Sequence, residues 1–152
     1  MVRVQAEAFD VGAELGRFGR GRADVGAVAS FVGLVRDVHG GDAVIAMTLE
    51  HYPGMTERRL EKLEAEALRR WPLQDSLVIH RFGRMLPGEP IVLVATASAH
   101  RDAALEACAF LIDRLKTEAP FWKLEETPAG ERWVEPRGSD EAAAARWRPP
   151  PG

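Results

Sequence analysis

An α+β fold, with helices packed on a mixed and largely antiparallel sheet, is what this sequence predicts. Three observations carry that expectation. Segments with strand character outnumber those with helical character. Strands and helices do not alternate in the regular order that builds a parallel sheet. The two longest helical segments are apolar along one stripe only, so each needs another layer to cover it.

Taken in order, Val2 to Phe9 alternates, with Val2, Val4, Ala6 and Ala8 on one face and Arg3, Gln5 and Glu7 on the other. That is a half-buried strand. Asp10 is placed to cap a short helix running to about Phe18. Gly19 to Arg22 forms a loop. Val25 to Val35 is almost continuously apolar and reads as a strand covered on both sides. It stops at Arg36-Asp37, and His39-Gly40-Gly41-Asp42 makes a turn. Ala43 to Glu50 is the next strand.

Pro53 suits the first turn of a helix. Leu60, Leu63, Ala67 and Trp71 then keep helical spacing, and Pro72 stops the run. Ser76 to Phe82 is a strand, Leu86 to Pro90 a turn, and Ile91 to Ser98 a strong strand. His100-Arg101-Asp102 opens a second long helix with the stripe Ala104, Cys108, Leu111 and Leu115. Pro120 ends it by pushing Ala119 toward extended geometry. Phe121 to Glu126 and Arg132 to Val134 are short strands. From Pro136 the chain turns rich in Pro, Ala and Arg. The reading is one domain over residues 1–135 and a partly ordered tail over 136–152 with a Pro-rich end.

Bulk properties narrow the function classes. The chain has 152 residues, is 46% hydrophobic and carries a formal net charge of -3. That composition supports a packed core and argues against a nucleic-acid-binding face, since no basic stripe with interleaved aromatics is present. One cysteine rules out an internal disulfide and fits a reducing cytosol. No apolar run spans a membrane, and the first residues lack a signal-peptide pattern. A cytoplasmic protein is expected.

Walker loops, dinucleotide fingerprints and metal-type spacings are missing from the sequence. His39, His51, His80 and His100 are scattered, so no metal or other cofactor is expected. What remains is a set of basic residues at element ends. Arg101 near a helix start opposes the macrodipole unless an anion binds there, with His100 as a second donor. The alternative is a His100 cap beside a solvated arginine. Lys116, in the last turn of the same helix, has a structural reason for its place. Lys123 and Glu125 share one face of a strand, with Trp122 and Leu124 on the other. If Trp122 and Leu124 face the core, the pair points into a cleft or into solvent. A lysine among other cations is a candidate base or nucleophile; an ordinary surface ion pair is the alternative. Cys108 lies on the apolar stripe and reads as core. If this protein moves sulfur, another molecule must bring it.

Several stretches carry a resemblance. They are Phe31-Val32-Gly33-Leu34-Val35-Arg36-Asp37, Leu49-Glu50-His51-Tyr52-Pro53-Gly54-Met55, Ile79-His80-Arg81-Phe82-Gly83, Ser98-Ala99-His100-Arg101, Leu115 through Lys123, and Gly130-Glu131-Arg132-Trp133-Val134. In order and in plausible spacing from about Val2 to Trp147, they resemble the large, catalytic subunit of molybdopterin synthase. The resemblance implies an α/β hammerhead-like fold and a sulfurtransferase. Its substrate would be cyclic pyranopterin monophosphate. Its sulfur would come from a small ubiquitin-like partner ending in a Gly-Gly thiocarboxylate. Two sulfurs make the dithiolene that later holds molybdenum. The implied assembly is a homodimer of large subunits with a small subunit at each end.

The same resemblance assigns roles. Lys116 matches the lysine that meets the partner's inserted tail, and Lys123 the main acid–base group. Arg36, His100 and Arg101 match positions that bind substrate and its phosphate. Glu125 matches a neighbouring carboxylate and Arg137 a basic residue near the pocket. Leu34, Val35 and Leu124 fall in the substrate-binding set, although Leu34 and Leu124 stand where a basic residue is common. Phosphate and thiocarboxylate are both anions, which suits such a pocket.

One geometric expectation follows. Arg101 and Lys116 lie at opposite ends of one helix, their backbones roughly 22 Å apart. A single site then takes Lys116 and Lys123 from one chain and His100 and Arg101 from another. Two rival readings are a scaffold that binds the partner without turnover, and a phosphate-binding regulatory module.

Overall fold

The computed structural model describes residues 1–135 and 138–148. Its elements run β1 (Val2–Gln5), α1 (Val11–Arg17), β2 (Ala27–Leu34), β3 (Val38–His39), β4 (Asp42–Ala43), β5 (Ala46–His51) and α2 (Met55–Arg70). They continue with β6 (Leu73–Arg81), β7 (Gly83–Met85), β8 (Pro90–Ser98), α3 (Arg101–Glu118), β9 (Phe121–Thr127), β10 (Gly130–Val134) and α4 (Gly138–Ala145). The fold is α+β. One four-stranded sheet has the order β1-β6-β8-β2, and another the order β10-β9-β5-β7. Only β1 and β6 pair in parallel among the described strands.

The central strands β6 and β8 of the first sheet are covered on both faces. Leu60, Leu63 and Ala67 of α2 and Ala104, Cys108, Leu111 and Leu115 of α3 pack with Val78, Val92 and Val94. On the other face α1 lays Val11 and Leu15 near Leu77, Ile79 and Leu93. Asp10 caps α1 by accepting a hydrogen bond from the Ala13 N–H at 2.8 Å. Both long helices end where the sequence says, with Ala119 extended ahead of Pro120. Residues 138–148 add to the same core: α4 lies along α3, and the Trp147 ring meets Trp71 and Phe110 edge-on. Among the described residues no helix is long and apolar enough to cross a membrane.

Four expectations need correction. β1 stops at Gln5 rather than Phe9, because the chain bends away before α1. β2 is not covered on both sides. It is an edge strand, and Val28, Phe31 and Leu34 are exposed on it. Pro53 lies outside α2; Gly54, at a positive φ of 83°, occupies the cap position, and its N–H donates to Glu57 at 2.5 Å. The strand expected from Ala43 is split, with β4 forming a tight hairpin with β3 before β5 begins. Gly40 and Gly41, with φ of 61° and 85°, supply that hairpin's left-handed turn.

Candidate active site

The second sheet carries Lys123, Leu124 and Glu125 of the predicted residues, all on β9. β9 is one of its two internal strands, paired with β5 on one side and β10 on the other. Alternation puts Lys123 and Glu125 on the same face, as the sequence predicts. That face is the enclosed one. Glu125 is 3% exposed, whereas Trp122 on the opposite face is 49% exposed. Trp122 therefore does not pack into the core. Charge is buried here because the partners it needs arrive from elsewhere in the chain.

Those partners are specific. His39 Nδ1 lies 2.7 Å from Glu125 Oε1, and Arg132 Nε lies 3.3 Å from the same oxygen. Lys123 Nζ is 3.8 Å from Glu125 Oε2. Arg132 also donates to Asp42 at 2.7 Å and to the His39 carbonyl at 3.1 Å. One buried carboxylate thus ties the β3–β4 hairpin to the β9–β10 hairpin. Burial pushes the Glu125 carboxyl upward. The His39 hydrogen bond, the Lys123 charge and the Arg132 hydrogen bond outweigh it, and the group ends below the usual carboxylate range. It is an acceptor held ionised.

Around this pair Leu34, Val35, Arg36, His39, Val44, Met47 and Ile91 close a cleft. Leu34 and Arg36 are exposed at its mouth and Val35 is buried at its base. Its enclosed space is only about 40 Å³. A pocket for a drug-sized ligand holds roughly 300 Å³ or more. This cleft is one wall of a site rather than a whole one. A larger groove of about 550 Å³ lies elsewhere, between α2, α3 and α4. Its Arg114 is already paired with Glu66 and Glu118.

Lys116 is exposed in the last turn of α3 and is not among the residues that line the cleft. The corner that joins it to Lys123 is braced from below. The buried Thr56 hydroxyl donates to the Pro120 carbonyl at 3.2 Å. The His80 ring stacks on Phe121 with centroids 3.8 Å apart.

His100 and Arg101 are not part of this assembly. Both are exposed at the start of α3. The His100 side chain makes no capping bond, so the simple capping alternative does not describe it. The cleft touches Ile91 near the start of β8, and His100 follows that strand's far end. Nine residues of strand cover roughly 30 Å. Leu124 is half-buried on the face of β9 opposite Lys123, opposite Trp133 in register. Arg137 lies outside the described residues. Among those described, no cluster of three or more His, Cys, Asp or Glu side chains is arranged to hold a metal ion.

The sequence reading noted His39, His80 and Arg132 but assigned none of them to the site. Arg132 had a usable signal: a tight hairpin pairing Thr127 with Gly130 brings residue 132 opposite residue 125. His39 and His80 had none, since both depend on contacts far along the chain. Cys108 is buried as expected, and burial pushes its thiol up to about 11.

Similarity to known proteins agrees with this arrangement. The family model described as MoaE protein matches residues 4–118. The molybdopterin synthase catalytic subunit of Pseudomonas aeruginosa is 58% identical over 146 residues, which is 96% of this chain and 97% of that relative. The molybdopterin biosynthesis MoaE protein of Burkholderia ambifaria MC40-6 superposes with a TM-score of 0.82 at 54% identity, covering 97% of each chain. The molybdopterin synthase of Staphylococcus aureus gives a TM-score of 0.80 at 29% identity, over 88% of this chain and 96% of that one. On the matched residues, the identity and the shared fold, this chain belongs to the MoaE protein family.

Proposed function

We propose that this chain is the catalytic subunit of a molybdopterin synthase. In this reading it moves two sulfurs from a thiocarboxylated small subunit to cyclic pyranopterin monophosphate, giving the dithiolene. One observation carries the reading most directly: Lys123 and Arg36 line one cleft with an ionised, buried Glu125 in a chain of this family. The cations suit a phosphate and a thiocarboxylate. Lys123 is the main acid–base group, and Glu125 fixes its position and charge. Lys116 receives the partner's C-terminal tail at the exposed end of α3. The reaction runs in the cytoplasm, where thiols remain reduced.

The small volume of the cleft and the distant start of α3 support a composite site. We infer that His100 and Arg101 of a second copy complete the phosphate-binding wall. The working unit is then a homodimer with a small subunit bound at each end.

A reconstituted assay tests the function. The protein is mixed with cyclic pyranopterin monophosphate and the thiocarboxylated small subunit, beside the Lys123→Ala variant. Dithiolene formation by the native chain, lowered a hundredfold or more (a rough figure) in the variant, is the expected result. A native chain that binds the partner yet makes no product is a scaffold instead. Absence of both product and partner binding overturns the reading altogether.

A further inference from the structure

The mechanism above uses neither of two histidines that stack on neighbouring phenylalanines, His80 on Phe121 and His51 on Phe82. His80 is 5% exposed, on β6. Its ring lies flat on Phe121, with an interplanar angle of 17°. Its Nδ1 is 2.8 Å from the Arg81 carbonyl. A carbonyl only accepts, so Nδ1 carries the hydrogen and Nε2 carries the lone pair. His51 stacks on Phe82 at 4.0 Å, and its Nε2 lies 3.7 Å from Glu57. The ring of His80 therefore sits at the corner between α3 and β9. Lys116 precedes that corner, and Phe121 and Lys123 follow it.

We propose that His80 is a positioning residue for Lys116, with its unprotonated Nε2 accepting from the lysine ammonium and its ring holding the start of β9. The inference rests on the sulfur-transfer reading and deepens it. The charged groups that reach His80 are Lys116 from α3 and His51 from β5. Burial, followed by the charges of those two groups, pushes the His80 imidazole down to about 3, although its bond to the Arg81 carbonyl works the other way. The ring is neutral throughout the physiological range, which keeps it an acceptor. An ammonium anchored from beneath presents its remaining hydrogens outward, toward an arriving anionic tail. The same ring, with the Thr56 hydroxyl, holds the corner between the two lysine-bearing segments.

The test begins without turnover. The pH dependence of Lys116 modification by an amine-reactive reagent is followed by mass spectrometry in the isolated protein. His80→Phe keeps the stacking ring and removes the acceptor. His80→Gln keeps an acceptor near the Nε2 position. The midpoint for Lys116 should fall by about half a pH unit or more in His80→Phe and return toward native in His80→Gln. In the reconstituted assay, KM for the thiocarboxylated partner should rise about tenfold in His80→Phe, with kcat changed much less. A third arm guards against a misfolded variant. In Lys116→Met, whose change is at the surface, the ¹⁵N resonance of His80 Nε2 should move toward that of a free acceptor. An unmoved resonance there, or equal Lys116 midpoints in folded His80→Phe and native chains, overturns the proposal. Because labelling and resonance need no catalysis, their failure is separate from failure of the enzymatic reading.

Discussion

The two ends of α3 are built differently. At its C-terminal end the helix stops on Ala119 and Pro120, over a floor made by Thr56, His80 and Phe121. Lys116 there has neighbours that define where it stands. At the N-terminal end His100 and Arg101 face outward, and His100 leaves the cap unfilled by its side chain. One end is finished within the chain. The other carries two exposed side chains with hydrogen-bond donors, His100 and Arg101.

The largest expected effect tests this contrast by exchange of chains. Arg101→Ala and Lys116→Ala are each expected to lose most activity as homodimers. Mixed dimers of the two should regain activity, because one of their two sites is then intact. Recovery approaching half of native per mixed dimer supports two half-sites; verified mixed dimers with none break the comparison.

A smaller effect concerns the finished end. His80 is held near 3 in the folded chain, against an ordinary value of 6.5. The unfolded chain therefore binds a proton between those values and the folded chain does not. Stability is complete above pH 6.5 and declines as the pH falls. By pH 5 the loss from this group is about 2 kcal/mol. Urea midpoints at pH 7 and pH 5 measure it, with His80→Phe lacking this contribution. Equal midpoints for the native chain at the two pH values remove the buried neutral imidazole from the account.

The smallest effect belongs to the other end. Arg101→Ala should leave stability within about 0.5 kcal/mol of native, since an exposed side chain away from caps and buried networks contributes little. A thermal or urea midpoint well below native means that Arg101 supports this chain's own fold, and the contrast between the ends weakens.

Much of the scaffold was legible in the sequence because it rests on local pattern. Leu60, Leu63 and Ala67 in α2, and Ala104, Cys108, Leu111 and Leu115 in α3, stood out by spacing, and all are buried. Asp10 and Pro120 marked their helix ends by short-range chemistry. The failures share a different cause. The apolar run of β2 hid its edge position, because a strand's place in a sheet is decided by strands distant in sequence. The three-residue β7 is too short to show a period. Trp122, taken conditionally as core, is exposed, while Glu125, left between a cleft and solvent, is buried. That inversion turns on His39, 86 residues away, whose ring neutralises the cost of enclosing a carboxylate. Lys123 and Glu125 were found together by simple alternation. Alternation did not decide between a cleft and solvent for the pair.

Cys108 has a consequence for sulfur accounting. Its Sγ lies 3.9 Å from the Val94 carbonyl inside the core, and it is the chain's one cysteine. An accessible thiolate beside an activated acyl-sulfur group would compete with the substrate for transfer. With that thiol withdrawn, the chain gives up no cysteine sulfur and takes none on. In the proposed reaction it leaves each cycle chemically unchanged, and consumption falls on the carrier alone, two charged carriers for each dithiolene. A preparation grown on isotopic sulfur would therefore pass no label to the product, however many turnovers it performs.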